Sequence, residues 1–294
     1  MISVVMPTYN REKTIGMAVN SILEQTYQDF EIIIVDDCSD DKTLEVIKKF
    51  DDSRIRCIQM ERNMGACAAR NRGVEEARGD IIAFQDSDDE WLPDKLERQV
   101  AQLEYEQADF SAGRMRRYYL DSKTRYKIYP SKKMKPEKCT YKAVLYKNCV
   151  TTPNLMVRRT CFEKVKFDPD IKKYQDWDFV LMMLKAGFKM TFLNEIVLNS
   201  YIGSNSITSR QNEYDAFVAI YKKYKADIDA DKRIHARFLE RMGNAKRIEG
   251  KDEHAYKLYL QSFKMHPTWK TFLKCSYFGL KGGKNKWKKD QISG

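Results

Sequence analysis

Four consecutive polar residues carry the strongest chemical signal in the sequence. Residues 86–89 read Asp-Ser-Asp-Asp and directly follow an apolar run over 80–84 that is typical of a buried strand. Carboxylates placed this close together repel one another and raise one another's pKa. A divalent cation removes that cost, and carboxylate oxygens suit Mg²⁺ or Mn²⁺. The segment therefore predicts a metal site; the alternative is an ordinary Asp-rich turn before the helix that Pro93 opens.

Two further positions could contact a nucleotide. Asp36 and Asp37 end the apolar run 31–35, and a carboxylate at a strand end can accept hydrogen bonds from a nucleobase or from ribose hydroxyls. The alternative role for this pair is to cap the next helix. Arg70 lies on a predicted helix of small residues over 66–78, and its guanidinium suits a phosphate or a base. A surface ion pair is the alternative for Arg70.

The elements that position these residues form a regular series at first. Short β-branched runs at 2–6, 31–35, 54–60 and 80–84 alternate with helical patterns, which predicts an open, mostly parallel central sheet flanked by helices. Ligands of such a sheet lie beyond the carboxyl ends of the strands, where the polar residues stand. The later predicted elements are a basic, Tyr-rich loop or hairpin from Tyr118 to Cys139, a strand at 155–157, a helix at 176–187, strands at 189–194 and 196–202, and helices from 211 onward with a flexible tail over 281–289.

Four ordered blocks in the first 100 residues carry a family resemblance. They are Val5-Met6-Pro7-Thr8-Tyr9-Asn10-Arg11, Ile34-Val35-Asp36-Asp37-Cys38-Ser39, Asn63-Met64-Gly65-Ala66 with Ala69-Arg70-Asn71, and Asp86-Ser87-Asp88-Asp89-Glu90-Trp91-Leu92-Pro93-Asp94. The chain resembles the family 2 inverting glycosyltransferases of GT-A fold, a Rossmann-like α/β architecture. The likeness thins over 101–200 and ends near 205.

The resemblance implies a nucleotide-sugar donor, most often a UDP-sugar, and inversion at the anomeric carbon. By position, Asp37 would bind uracil, Arg70 would help hold the nucleotide, and Asp88 would ligate a Mn²⁺ or Mg²⁺ ion that bridges the diphosphate. Asp86 would face the ribose and the metal. The remaining predicted donor-binding residues are Pro7, Thr8, Tyr9 and Ser87.

The resemblance also implies a catalytic base at the start of a helix in the second half. In Tyr174-Gln175-Asp176-Trp177-Asp178 the family's usual Glu is replaced by Gln175, and Asp176 is the predicted base. The attacking hydroxyl needs a carboxylate to take its proton, and a helix N-terminus would keep Asp176 ionised. Helix capping is the alternative role for Asp176, and Asp178 is the rival base.

Two departures from the family pattern refine the expectation. The Gln-x-x-Arg-Trp motif and the membrane spans of the processive synthases do not occur, which favours transfer of one sugar over polymerisation. The segment after the last predicted strand lacks the His of many relatives. Its role would then pass to Ser204, Ser206 or a Lys within 127–138.

Charge separates the chain into three predicted segments. The net charge of +11 divides into −11 over residues 1–110, +12 over 111–214 and +10 over 215–294. We expect 1–110 to be the nucleotide-sugar-binding half, 111–210 the acceptor-binding half, and 211–294 a basic helical extension. The basic end predicts contact with an anionic membrane surface near a glycan or lipid-linked glycan acceptor.

Composition and motifs exclude several other classes. Seven scattered cysteines without a C-x-x-C pair, and a start without a signal-peptide layout, indicate a cytoplasmic protein with reduced thiols. No Gly-x-Gly-x-x-Gly turn follows the first strand, and no P-loop occurs. No nucleic-acid-binding motif is present, so no nucleic acid partner is expected. The alternative function is a non-catalytic basic membrane- or RNA-binding protein on a transferase-like scaffold.

Overall fold

The structure is a computed structural model that describes residues 1–120, 126–131, 139–202 and 212–290, with side chains described up to residue 279. The chain divides into two compact units, Met1–Ser206 and Ile207–Gly294. In the described residues, no helix is both long enough and apolar enough to cross a membrane.

Four parallel strands form the first part of a sheet in unit 1. They are β1 (Ile2–Thr8), β2 (Phe30–Asp36), β3 (Ile55–Gln59) and β4 (Ile81–Phe84). Their order is β3-β2-β1-β4, and each neighbouring pair is parallel. Every residue of β1 and β2 is buried, as expected for parallel strands that are covered on both faces. All four carboxyl ends therefore lie at one edge of the sheet.

Four helices accompany these strands along the chain: α1 (Ile15–Leu23), α2 (Thr43–Ile47), α3 (Ala66–Glu75) and α4 (Lys95–Tyr105). The small residues of α3 allow the close approach that the sequence predicts. A Cβ atom at Gly73 would lie 2.4 Å from Cγ1 of Val5 in β1, so only glycine fits there. This contact fixes the distance of α3, and hence of Arg70, from the sheet.

The second part of the sheet has mixed pairing. It contains β5 (Asp89–Trp91), β6 (Phe110–Tyr119), β7 (Lys127–Tyr129), β8 (Leu155–Arg158) and β9 (Met190–Ile202). The order continues from β4 as β8-β6-β9-β5, with β7 paired to β6. Strands β6 and β9 are parallel, whereas β8, β7 and β5 pair antiparallel with their neighbours.

Strand β9 differs from the sequence prediction. The sequence predicts two strands, 189–194 and 196–202, but the structure has one strand from Met190 to Ile202. Its register against β6 shifts twice, between Gly113 and Arg114 and between Arg114 and Met115. The polar residues that suggest a break are accommodated in these bulges, so the ladder resumes with the same partner strand.

For the Tyr-rich segment from Tyr118 to Cys139 the sequence predicts either a loop or a hairpin. In the described part of this segment the structure has a hairpin, because β6 and β7 pair antiparallel. Sequence reasoning missed most of β6 itself. Its residues Ser-Ala-Gly-Arg-Met-Arg-Arg have weak strand propensity and no clean alternation. Pairing with three other strands overrides that local preference.

The remaining helices of unit 1 are α5 (Tyr141–Tyr146) and α6 (Gln175–Lys185), with short 3₁₀ turns at Thr152–Asn154 and Arg159–Glu163. Unit 2 is helical, as predicted. Its helices are α7 (Glu213–Lys223), α8 (Lys225–Asp229), α9 (Lys232–Ile248), α10 (Asp252–Met265) and α11 (Trp269–Asp290).

Helix α11 runs to Asp290 and so includes residues 281–289, for which the sequence predicts a flexible tail. The flexibility of this segment stays a prediction. Lysine is a good helix former, and the two consecutive glycines of this segment reduce helix stability without ending the helix. Earlier in α11, Phe278 packs with Ala255 and Tyr259 of α10 in a small core.

Candidate active site

The predicted donor-binding residues converge at the carboxyl edge of adjacent strands. Thr8 is the last residue of β1, and Asp36 is the last residue of β2, with Asp37 directly after it. Asp86 lies two residues after the end of β4. Strand β1 lies between β2 and β4, so the three segments are neighbours in space although nearly 80 residues separate the first from the last. The topology thus confirms the convergence at this edge that the strand pattern predicts.

Asp37 holds the loop that leads into α3. Its two carboxylate oxygens accept hydrogen bonds from the backbone N–H groups of Met64 and Gly65, each at 2.7 Å. Gly65 has a φ of 88°, a backbone conformation that glycine adopts without steric cost. Asp37 is only 3% exposed, so this carboxylate is itself fixed. The sequence predicted a base-binding role for Asp37 and did not anticipate this structural one.

The end of β1 offers a buried hydroxyl and an exposed ring. Pro7 and Thr8 are buried, whereas Tyr9 is exposed. The Thr8 Oγ1 atom has no hydrogen-bond partner among the described residues. A buried hydroxyl without a partner is costly, so this atom fits a position completed by a ligand or water.

Residues 86–89 alternate in exposure. Ser87 and Asp89 are buried, whereas Asp86 and Asp88 are half-buried. Asp89 begins β5, and its Oδ1 accepts the N–H of Tyr201 in β9 at 3.3 Å. The antiparallel β5–β9 pair therefore anchors one side of the segment, which leaves Asp86 and Asp88 accessible.

Like charge dominates the electrostatics of this segment. Burial and the neighbouring carboxylate of Asp86 raise the pKa of Asp88. Burial, Asp86 and Asp88 raise the pKa of Asp89 further. Arg11 relieves part of this repulsion, with its Nε 3.6 Å from Oδ2 of Asp88. The sequence did not predict this contact, because the ion pair joins segments far apart in the chain.

Arg70 connects the acidic segment to α6. Its Nη2 donates to Oδ1 of Asp86 and its Nη1 donates to Oε1 of Gln175, both at 2.9 Å. The side chain is buried, and its Nε has no partner among the described residues. In this structure Arg70 therefore bridges two halves of the site, and the nucleotide contact that the sequence predicts for it stays a prediction.

Asp176 lies in the first turn of α6. Tyr174 precedes the helix in a left-handed conformation, with a φ of 65°. The Asp176 Oδ1 accepts the N–H of Trp177 at 2.7 Å. The indole of Trp177 donates to the carbonyl of Val144 in α5 at 2.8 Å and anchors this end of the helix.

Burial raises the pKa of Asp176 to about 6, although the hydrogen bond from Trp177 and the charge of Arg70 act in the opposite direction. The sequence predicts that the helix N-terminus keeps Asp176 ionised, and burial opposes this by raising the pKa. With a pKa near 6 the group is still mostly ionised at pH 7 and can take a proton. The rival Asp178 is 1% exposed, whereas Asp176 keeps partial access to solvent.

The donor set suits a hard cation that a ligand helps to hold. Within the described ranges, no group of three or more His, Cys, Asp or Glu side chains is arranged to bind a metal by itself. Asp86 and Asp88 supply two accessible carboxylates whose mutual repulsion a cation would relieve. Proteins usually bind Mg²⁺ through one or two carboxylates, and phosphate oxygens of the substrate complete the coordination of the ion.

Most of the residues that the sequence predicts as replacements for the missing His fall in parts of the chain that the structure does not describe. Ser204 and Ser206, and the lysines within 132–138, are outside the described residues. Lys127 is described and belongs to β7.

An open α/β sheet with a parallel first half and a mixed second half is the GT-A architecture, which is found in glycosyltransferases. The chain belongs to glycosyl transferase family 2, whose sequence profile matches residues 3–166. It is an enzyme of that class.

Two relatives illustrate the similarity in sequence. The putative teichuronic acid biosynthesis glycosyltransferase TuaG of Bacillus subtilis is 33% identical over 213 residues, which cover 72% of this chain and 82% of TuaG. The Escherichia coli protein WfgD, a UDP-Glc:α-D-GlcNAc-diphosphoundecaprenol β-1,3-glucosyltransferase, is 35% identical over 186 residues, which cover 63% of this chain and 70% of WfgD.

Solved structures support the fold. Residues 1–349 of S. aureus TarS in complex with UDP-GlcNAc align with a TM-score of 0.68 at 22% identity, over 90% of this chain and 81% of that one. The mannosyltransferase PcManGT of Pyrobaculum calidifontis, in complex with GDP-Man and Mn²⁺, aligns with a TM-score of 0.60 at 17% identity, over 98% of this chain and 87% of that one.

Proposed function

We propose that this enzyme transfers one sugar from a UDP-sugar to a hydroxyl of a glycan or lipid-linked glycan, with inversion and with the help of a divalent metal, in the biosynthesis of a cell-surface polysaccharide. The observation that carries the proposal is the position of Asp176. Arg70 links its helix directly to the acidic segment, through Gln175 on one side and Asp86 on the other. Asp176 follows Gln175 directly, and it is close enough to Asp86 for that charge to raise its pKa.

The donor assignment rests on the parallel edge and on the relatives. Asp37, Thr8 and Tyr9 stand where a nucleobase would bind, and the orphaned Thr8 hydroxyl favours a ligand there. WfgD is named for UDP-Glc, and TarS was solved with UDP-GlcNAc. UDP is therefore the nucleotide that we assign to this edge, with Pro7 and Ser87 supporting the pocket from buried positions.

Asp88 and Asp86 are the residues that would hold Mn²⁺ or Mg²⁺. When bound, such an ion neutralises negative charge on the departing diphosphate. The chain's own cations at this position are Arg11, 3.6 Å from Asp88, and Arg70, 2.9 Å from Asp86. Arg11 offsets part of the carboxylate repulsion in the metal-free protein.

Asp176 would take the proton of the attacking acceptor hydroxyl. A single displacement assisted by one general base inverts the anomeric centre, because the nucleophile enters opposite to the leaving group. Its pKa of about 6 suits this role, since the group is ionised at neutral pH yet basic enough to accept a proton. Asp178 would serve less well because it is almost fully buried.

A panel of UDP-sugars and GDP-mannose tests the proposal directly. We expect UDP and one UDP-sugar to raise the melting temperature of the protein in the presence of Mn²⁺, because a ligand that binds only the folded state stabilises it. Release of UDP on addition of a lipid-linked acceptor should accompany that shift, and the product should carry the inverted anomeric configuration. A response to GDP-mannose alone, or a retained configuration, would contradict the assignment.

We also propose that unit 2 binds an anionic membrane surface on the cytoplasmic face. Its helix α11 presents an exposed apolar stripe, defined as Trp269, Phe272, Leu273 and Tyr277, whose exposed fractions are 71%, 43%, 50% and 61%. Trp269 and Phe272 stack at 5.4 Å, and Lys270 is exposed in the same turn. Aromatic residues beside lysines on one helix are typical of helices that lie in the membrane interface, and the net charge of +10 over 215–294 complements anionic lipid.

We expect the double variant Trp269→Glu, Phe272→Glu to lower the partition of the full-length protein onto vesicles containing phosphatidylglycerol by at least about tenfold. Burying each such side chain contributes roughly 1.5–3 kcal/mol, which the charged replacements remove. Vesicle sedimentation measures the effect, and Tyr105→Glu is the matched control because Tyr105 is an exposed aromatic on α4 in unit 1. Equal losses in both variants, or none in the double variant, would contradict the stripe as the contact.

A further inference from the structure

Arg117 is a cation beside the candidate base that the proposed chemistry does not use. It lies on β6, and its charge lowers the pKa of Asp176, so the two groups are within electrostatic range. No ion pair joins them, because no carboxylate in the described part of the chain lies within 4.0 Å of its nitrogens. Both groups also border the same short helix, α5. Arg117 stacks on Tyr129, whose hydroxyl donates to the carbonyl of Asn148 just after α5. Trp177, next to Asp176, donates to the carbonyl of Val144 in α5.

The guanidinium of Arg117 is held in place by a ring contact, but its hydrogen-bonding capacity is not fully used. It stacks over the ring of Tyr129 at 4.5 Å, and Tyr129 is fixed by a hydrogen bond from its hydroxyl to the carbonyl of Asn148. Its one polar contact is a weak one, from Nη2 to the sulfur of Met115 at 4.0 Å. Its Nε is buried without a partner among the described residues. A buried N–H of a charged group without an acceptor is costly.

Arg70 also has a buried Nε without a partner among the described residues, but the other arginines around the site contact oxygen acceptors through their remaining nitrogens. Arg70 donates to Asp86 and Gln175, and Arg11 pairs with Asp88. On the same strand, Arg116 donates to Oδ1 of Asn199 at 3.4 Å. Arg117 alone among these four described arginines has no oxygen that accepts its hydrogen bonds. This indicates that a bound ligand supplies that oxygen.

The position of Arg117 indicates which ligand would contact its guanidinium. The reacting hydroxyl of the acceptor must contact Asp176, so a ligand that lies between Asp176 and Arg117 would belong to the acceptor. A guanidinium presents paired N–H donors that match a phosphate or carboxylate. An acceptor that binds here would place a hydroxyl at the base and an anionic group at the arginine.

We propose that Arg117 is the acceptor-recognition residue of this enzyme and binds a phosphate or carboxylate group of the acceptor near the reacting sugar. This inference rests on the proposed function, since it places the acceptor against Asp176. It makes the enzyme selective for anionic acceptors over neutral ones. Tyr129 contributes by holding the guanidinium plane in place through stacking.

The test measures binding of small anions to the UDP-saturated protein, so that the donor site is occupied. Methyl diphosphate and methyl β-glucuronide are the probes, because neither has an alkyl chain that could bind the apolar stripe. We expect one of the two to bind wild type, and Arg117→Gln to weaken it by about tenfold, the loss expected for a charge-assisted hydrogen bond. Whether the diphosphate or the glucuronide binds distinguishes a phosphate-linked acceptor from an acidic sugar.

Arg116→Gln is the matched control, because it removes the same charge from the adjacent residue of β6 and should leave binding unchanged. Arg117→Lys should give an intermediate loss, since it keeps the charge but not the paired donors. Equal binding by wild type and Arg117→Gln, equal losses in the Arg116 and Arg117 variants, or no binding of either probe to wild type would each overturn the inference.

UDP binding is measured separately on every variant. If UDP does not bind wild type, the proposed function itself fails; if UDP binds and only the anion result fails, the role of Arg117 alone is wrong.

Discussion

Asp176→Asn should lower kcat for sugar transfer by about 100-fold or more and leave the affinity for UDP unchanged. The amide keeps the shape of the side chain but cannot accept the proton of the attacking hydroxyl, and general base catalysis typically contributes 10²–10⁴-fold. The donor positions lie on other elements, at the ends of β1, β2 and β4, so nucleotide binding should survive. Steady-state kinetics with saturating acceptor, together with titration of UDP, measures both effects.

The pH profile provides a second readout of the same group. Only ionised Asp176 can act as a base, and burial raises its pKa to about 6 from 3.8. We therefore expect kcat/KM to be flat above pH 7 and to fall about tenfold per unit below pH 6. A limb near pH 4 would mean that a carboxylate with an ordinary pKa is responsible.

Two further variants make the base assignment specific. Asp170→Asn introduces the same change on the exposed segment just before α6 and should leave kcat and the pH limb intact. Asp178→Asn addresses the rival directly: because Asp178 is 1% exposed, its replacement should alter stability more than the pH limb. Retention of full activity by Asp176→Asn, with loss in Asp178→Asn, would reverse the assignment.

Asp88→Ala should abolish the response of the enzyme to Mn²⁺ and reduce transfer by a comparable factor. In the wild type we expect Mn²⁺ to increase the melting temperature of the UDP complex, because protein carboxylates and the diphosphate would share the ion. Removing Asp88 leaves Asp86 as the one accessible carboxylate of the segment, and Asp86 already accepts a hydrogen bond from Arg70. Thermal shift with UDP, with and without Mn²⁺, measures the loss.

The same segment should show a trade-off between stability and activity. Like charges in 86–89 repel one another, so Asp88→Asn should raise the melting temperature of the metal-free protein even though it inactivates the enzyme. Asp40→Asn is the matched control, because Asp40 is an exposed carboxylate on a nearby loop. An unchanged Mn²⁺ response in Asp88→Ala would show that the metal, if it binds, binds elsewhere.

Much of the donor site was predictable because its signal is local. Each of its segments consists of a buried strand followed at once by polar residues, and parallel strands bring their carboxyl ends to one edge. Asp37 and residues 86–89 could be placed there from the sequence alone. The second half was harder, because β6 forms a strand through its partners and against its own propensities.

The sequence by itself determined the parallel half of the sheet, the acidic segment after β4 and the helical C-terminal unit. Each of these follows from hydrophobic periodicity or charge among residues that are close together in the sequence. Only the tertiary structure decided which charges meet. Arg70 reaches Gln175 across 105 positions, Arg11 reaches Asp88, and Arg117 approaches Asp176 without pairing. Such contacts depend on how the strands are ordered and on how closely α3 packs on β1. A cluster of acidic residues can thus be recognised in a sequence, whereas a cation without an oxygen partner among the described residues becomes visible only in the folded protein.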